Sequence, residues 1–358
     1  MLIADWCQQF PSHTVGDLEF GPDGALHVSA GEGANFLGVD AGQYGVPSLN
    51  PCGDPVKEGG ALRAQDARTN GDPTNDPLSY DGTVLRVDPA NPGNPRIVAY
   101  GFRNPFRFTT RPGTNELWVG NVGWEKWETI NRIRNATDGS VTNFGWPCYE
   151  GAGQQAGYRD ANLPICNALY NEPGAVTPPV FAYEHYQPLI AGDGCNTDSS
   201  SITGLAFYSG GNYPGEYNGA LFFGDYARSC IWVMKRGASG DPDPTTVALF
   251  AGGASGPVDL VTGPGGDLFY LDIYQGTLRR IRYLAPAADI RADQTSGPAP
   301  LTVHFDGGNS SSAIGGSLAY SWDLNGDGTY GDATTTKAKY TYASGRYTVR
   351  LRVTDTQG

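Results

Sequence analysis

The chain of 358 residues holds four histidines. One of them, His13, stands in PSHTVGDLEFGPDGALHVSAGEG, immediately before what reads as a β-hairpin. Imidazole is the natural proton acceptor near neutral pH, so His13 is a candidate general base. Glu32 flanks the same hairpin on its far side, and both side chains could point from the rim of the same blade. A solvated loop histidine bonded to a nearby backbone group suits the position too, and both readings stay open here. Arg103, in AYGFRNPFRFTTRPG, lies between a strand ending at Gly101 and one begun after Pro105. From there a guanidinium projects towards an anion or a carbonyl, or forms a structural salt bridge. His27 lies within the strand ALHVSAG and reads as packing; His185 and His304 have no supporting neighbours in sequence. In DLNGDG, Asp323, Asn325 and Asp327 alternate before a glycine, as oxygen ligands do around calcium in a tight loop. Thr334 stands where an EF-hand has its last glutamate, with Asp332 nearby, and an Asp/Asn/Gly turn between strands reads equally well.

Such residues need strands to hold them. With 51 Gly and 26 Pro, long helices are disfavoured, while 20 Tyr, 14 Phe and 7 Trp supply a sizeable core. Four segments repeat one pattern of strand, Gly/Pro/Asp turn and strand: GDLEFGPDGALHVSAG, NPFRFTTRPGTNELWVGN, ITGLAFYSGGNYPGEYNGALFFGD and PVDLVTGPGGDLFYLD. Each is followed by a further strand: GTVLRVDP, WETINRI, SCIWVMKRG and GTLRRIRY. Repeated hairpins with an outer strand read as propeller blades. The loops 34–80 and 134–200 are long enough to be functional or pinned by disulfides. After RRIRYLAPAA, short alternating strands such as LTVHFD, LAYSWDL and YTVRLRVTD read as a small β-sandwich. The expected fold is therefore all-β, a propeller over residues 1–285 and a sandwich over 286–358, in a chain that looks clipped at both ends.

A net charge of −13 with no basic run disfavours a nucleic-acid partner. No stretch approaches the roughly 20 apolar residues of a membrane span. MLIADWCQQF is too short and polar for a signal peptide. The six cysteines sit in polar loops without a CxxC, so disulfides, and hence an extracellular location, are expected. Sequential pairing (Cys7 with Cys52, Cys148 with Cys166, Cys195 with Cys230) closes the shortest loops.

Several of these stretches together carry a family resemblance. HTVGDLEFGPDGALHVSAGEG, IVAYGFRNPFRFTTRPGTNELWVGNVGWEKWETIN, NFGWPCYEG, SSITGLAFYSGG and ALFFGDYARSCIWV resemble the soluble glucose/sorbosone dehydrogenase family, six-bladed propellers that use pyrroloquinoline quinone and calcium. The resemblance covers about residues 10–283 and implies that the first blade or two are missing. It implies that His13 is the base taking the proton of the sugar C1 hydroxyl, and that Glu32 stands where the family has an orienting aspartate. Arg103 would stabilise negative charge at the quinone, Asn104 would contact it, and the Gly123 and Trp124 carbonyls in NVGWEKWE would hold calcium. The family's cofactor lysine falls on Ala227, beside Arg228, and two cofactor arginines fall on Gly256 and Val258. Arg228, Arg63 or Arg107 would then have to compensate for the missing charges at the three quinone carboxylates. The tail SGPAPLTVHFDGGNSS to YTVRLRVTD resembles a PKD-type domain.

The expectation is a secreted quinoprotein that oxidises an aldose or related alcohol and passes electrons to an external acceptor. The alternative is a non-catalytic extracellular module binding carbohydrate or cell-surface material. A propeller hydrolase using Glu32 and Asp17 is a third.

Overall fold

The computed structural model describes residues 6–42, 51–66 and 80–355. Two compact units meet at Ile281 and Arg282. In the first, each hairpin expected from alternation forms, and each acquires outer strands to make a blade-like sheet.

The first sheet runs β1 (Val15–Phe20), β2 (Leu26–Ala30), β3 (Thr83–Val87) and β4 (Arg96–Tyr100), with the short β8 (Thr142–Asn143) added parallel to β4. The second comprises β5 (Asn104–Thr110), β6 (Leu117–Val122), β7 (Trp127–Ile133) and β11 (Phe181–Glu184). The third is β12 (Ile202–Phe207), β13 (Leu221–Asp225), β14 (Cys230–Met234) and β15 (Ala248–Ala251), and the fourth β16 (Pro257–Thr262), β17 (Leu268–Asp272) and β18 (Thr277–Ile281). β4 is the strand read as ending at Gly101, while the outer strands β11 and β15 escaped the sequence pattern because they are only four residues long and half-buried.

The inner strands β1, β5, β12 and β16 stand side by side in that order. Close approach needs small residues: a Cβ on Gly204 of β12 would run into the Leu260 backbone of β16. Arg107 of β5 donates to the Gly16 carbonyl of β1 at 2.7 Å. Strands β12, β13 and β14 are buried along their whole length, as strands covered on both faces must be. Between the second and third sheets lie Trp118, Ile130, Tyr183, Ile202, Phe223 and Trp232. Between the first and second lie Val84, Phe102, Phe108, Val119 and Ile133. Four blade-like sheets, not six, occur among the described residues of the first unit, and a closed ring is not seen in them.

The long loops carry a core of their own. Ala34, Leu62, Trp146, Cys148, Tyr158 and Cys166 cluster there. Around them are the short hairpin β9–β10 (Tyr149–Glu150, Gly153–Gln154) and helices α1 (Arg63–Asp66), α2 (Ala156–Asp160) and α3 (Pro164–Tyr170). The three disulfides are Cys7–Cys52, Cys148–Cys166 and Cys195–Cys230, the shortest-loop pairing.

The second unit pairs β19 (Arg291–Ala292), β20 (Leu301–Asp306) and β22 (Lys337–Tyr342) in one sheet, and β21 (Ala319–Asp323) with β23 (Arg350–Thr354) in another. Val303, Phe305, Trp322, Leu324, Tyr342 and Leu351 form its core. The Trp322 indole donates to the Thr335 carbonyl at 2.9 Å, satisfying the one polar atom of a fully buried ring.

Candidate functional site

His13 and Glu32 lie just beyond the open end of the β1–β2 hairpin. Gly31 donates to the Thr14 carbonyl at 2.8 Å and Gly33 to the His13 carbonyl at 3.2 Å, so the ladder continues past the strands and sets the two side chains together. His13 has φ of 54°, a left-handed conformation unusual for a residue with a Cβ. A Cβ on Gly31 would strike the His13 carbonyl, so only glycine allows the strands to meet here.

His13 Nδ1 sits 3.1 Å from Glu32 Oε1. Arg103 Nε lies 3.7 Å from the same oxygen. The indole Nε1 of Trp146 donates to Glu32 Oε2. The carboxylate is thus shared by an imidazole, a guanidinium and an indole, with Glu32 2% and Arg103 7% exposed at their side chains. Both oxygens of the enclosed carboxylate thus have polar partners, which offsets the cost of burying them.

Arg103 reaches this point because the chain turns between β4 and β5 beside Glu32, whose N–H donates to the Arg103 carbonyl at 2.8 Å. The Asn121 side-chain oxygen accepts from the N–H groups of Arg103, at 3.1 Å, and Asn104, at 3.0 Å. The guanidinium packs over the Trp146 ring at 5.7 Å and donates through Nη1 to the Gly123 carbonyl at 2.6 Å. Its Nε is buried without a hydrogen-bond partner. His13, Glu32, Arg103 and the Gly123 carbonyl are therefore neighbours.

Other expected residues lie elsewhere. Arg228 is fully buried: its Nε donates to Ser200, Nη1 to the Gln187 carbonyl and Nη2 to the Glu184 carbonyl, and it stacks over Tyr183 at 5.0 Å. The structure gives it a place between the second and third sheets, where all three guanidinium nitrogens bond to protein groups. Arg63 is bound to Asp54, Asp81 and the Cys7 carbonyl. Arg107 is bound to the Gly16 and Phe106 carbonyls and lies 3.8 Å from Asp259.

In DLNGDG, the loop expected to hold calcium, the side-chain oxygens are engaged within the turn. Asp323 accepts from the N–H groups of Gly326 and Gly328 and from Arg350, at 2.7, 3.0 and 2.7 Å. Asn325 accepts from Asp327 N–H at 2.8 Å, and Asp327 from Thr329 N–H at 2.7 Å. These oxygens face donors, as in a turn, and no cluster of three His, Cys, Asp or Glu able to hold a metal occurs among the described residues. The Gly123 carbonyl, expected to hold calcium with that of Trp124, accepts from the Arg103 guanidinium.

The residues fit a quinone in part. An imidazole–carboxylate pair and a buried guanidinium with an unpartnered Nε suit its reactive end. Three carboxylates need more cations than Arg103 alone, and the described residues do not fit that end.

Sequence reasoning missed Trp146, which lies 114 residues from the Glu32 it bonds. It also missed Glu150, whose Oε1 accepts from the N–H groups of Trp124, Glu125, Lys126 and Trp127 at 2.8, 2.9, 3.0 and 3.2 Å. His185, isolated in sequence, pairs through Nε2 with the buried Glu128 at 2.6 Å. Nearby, burial and the Glu128 charge raise Asp225 to about 6. His27 is buried, and burial lowers its pKa, as a packing role requires.

Residues 6–277 match the glucose/sorbosone dehydrogenase family and residues 283–358 the PKD domain. Among curated relatives, the aldose sugar dehydrogenase YliI of Escherichia coli (strain K12) is 25% identical over 186 residues, 52% of this chain and 43% of that protein. The HIPL1 protein of Arabidopsis thaliana is 24% identical over 268 residues, 72% of this chain and 34% of that protein. The chain thus spans less than half the length of these relatives. A solved structure of the PQQ-bound aldose sugar dehydrogenase of Streptomyces coelicolor is 19% identical, with a TM-score of 0.44, over 74% of this chain and 57% of that one. Since the family match extends over more than half of its residues, the chain belongs to the glucose/sorbosone dehydrogenase family and carries a PKD domain after it.

Proposed function

We propose that this protein is an extracellular sugar dehydrogenase of the quinoprotein type, oxidising an aldose or related alcohol and delivering electrons to an external acceptor. The observation that carries this reading is the sharing of one buried carboxylate, Glu32, by His13 and Arg103. Oxidising a hydroxyl-bearing carbon removes one proton and one hydride. The proton is this chain's share of the work. With Nδ1–H donated to Glu32, His13 presents the lone pair of Nε2 to the substrate hydroxyl, and the Glu32 charge stabilises the imidazolium that forms. Arg103 stabilises negative charge developing beside it, in a site that water reaches poorly. Pyrroloquinoline quinone, when bound, supplies the hydride acceptor; Arg103 and Asn104 are the residues that would hold its reactive end. Three disulfides accord with an oxidising compartment.

The test is reconstitution of the chain with quinone and calcium, followed by dye reduction with a panel of sugars. Activity that falls about 10²-fold or more in His13→Ala supports the reading. Failure of the quinone to bind saturably to well-folded protein refutes it. The shortage of cations for three carboxylates favours a second reading, a non-catalytic module that binds carbohydrate at the cell surface. That reading predicts glycan binding without quinone.

A further inference from the structure

We infer that Glu150 is a positioning residue that aims the Gly123 and Trp124 carbonyls, and through the first of these the Arg103 guanidinium, at the site. As a role in catalysis this rests on the proposed dehydrogenase function; as geometry it stands on four hydrogen bonds.

One oxygen of Glu150 accepts from four consecutive N–H groups, those of Trp124, Glu125, Lys126 and Trp127, at 2.8 to 3.2 Å. Four amide dipoles converging on one charged oxygen make an anion nest, here filled by the protein's own carboxylate. In a trans peptide the C=O of one residue points opposite to the N–H of the next. Because the Trp124 N–H points at Glu150, the Gly123 carbonyl points away from it. It meets Arg103 Nη1 at 2.6 Å. The Glu125 N–H fixes the Trp124 carbonyl in the same sense.

Two further features bind the device together. A Cβ on Gly123 would strike the Trp127 carbonyl and come within 2.8 Å of Glu150 Oε1, so the loop closes on the carboxylate only with glycine there. Glu150 itself lies in β9, four residues after the Trp146 that holds Glu32. The short segment 146–150 therefore grips both sides of the site: Trp146 the carboxylate, Glu150 the carbonyl that anchors the cation.

The test compares Glu150→Ala and Glu150→Gln with wild type in the full chain. Amide hydrogen exchange is read at residues 124–127, together with the Arg103 Nε–H resonance, assigned by its loss in Arg103→Lys. In Glu150→Ala the four amides are expected to exchange at least about tenfold faster, since each loses a bond to a charged acceptor. The Arg103 resonance is expected to shift and broaden. Sugar oxidation, where wild type supports it, loses kcat with KM little changed. Glu150→Gln keeps one acceptor oxygen and recovers part of each effect; it carries the test if the alanine variant does not fold. Unchanged amide exchange overturns the inference. So does a loosened loop with an unchanged Arg103 resonance, which would make Glu150 a loop staple only. A wild type that oxidises no sugar refutes the proposed function, and the exchange and resonance measurements still decide the role of Glu150.

Discussion

Replacing Glu32 by glutamine changes one atom type in a side chain that is 2% exposed, and its three neighbours dictate how the amide must sit. Trp146 Nε1 can only donate, so the amide oxygen turns towards it and the amide NH2 faces His13 Nδ1 and Arg103. Nδ1 must then accept, which moves the ring proton to Nε2 and removes the lone pair meant for the substrate. At the same time Arg103, with its Nε 3.7 Å from the lost charge, stays buried without a counter-ion. Breaking a buried pair typically costs 3–5 kcal/mol; the remaining bond to the Gly123 carbonyl reduces this to about 2–3 kcal/mol. The assay is nitrogen-15 NMR of the histidine ring nitrogens, which distinguishes the two tautomers, together with urea unfolding of the first unit. The expected result is an Nδ1–H tautomer for His13 in wild type, Nε2–H in Glu32→Gln, and any sugar oxidation reduced about 10²-fold or more. If His13 is Nε2–H already in wild type, or the variant keeps both tautomer and stability, Glu32 does not orient the ring and His13 loses its claim to be a general base.

Trp146→Phe keeps an aromatic ring but leaves Glu32 Oε2 without its indole donor, and a stability loss of about 1–3 kcal/mol is expected by chemical denaturation. Asp225 is raised to about 6, mainly by burial and then by Glu128, so the folded state holds its proton more tightly than the unfolded chain does. Its contribution to stability must therefore decline as pH rises from about 4 to about 6 and level off above; the difference in urea midpoint between wild type and Asp225→Asn across that range reads it directly. Removing the Cys148–Cys166 disulfide, which closes a loop of 18 residues around the Trp146 core, should cost roughly 3 kcal/mol and loosen the site, seen as faster amide exchange at 146–150. Calcium should leave the melting of the second unit unmoved, because the oxygens of Asp323, Asn325 and Asp327 are already engaged; a clear calcium-dependent rise would reinstate the ion site.

Much of this protein is written locally. Alternation and turn residues announce the four hairpins because a strand's two faces are set by every second residue, whatever lies beyond. The pairing of cysteines by the shortest loops follows from chain entropy, and the His13–Glu32 contact follows from hairpin geometry, since residues flanking one turn must end opposite each other. What no local pattern contains is the rest of the site. Arg103 joins it because β5 packs against β1, Trp146 because a long loop folds back to form its own core, and Glu150 because four amides in one turn need an acceptor from outside it. Arg228, adjacent to a cofactor position by resemblance, lies in the gap between two sheets, where carbonyls and Tyr183 accommodate its charge. The order of residues determines which strands exist; which side chains share a buried space is decided only when sheets and loops pack, because burial makes an unpartnered charge too costly and leaves each one wherever partners converge.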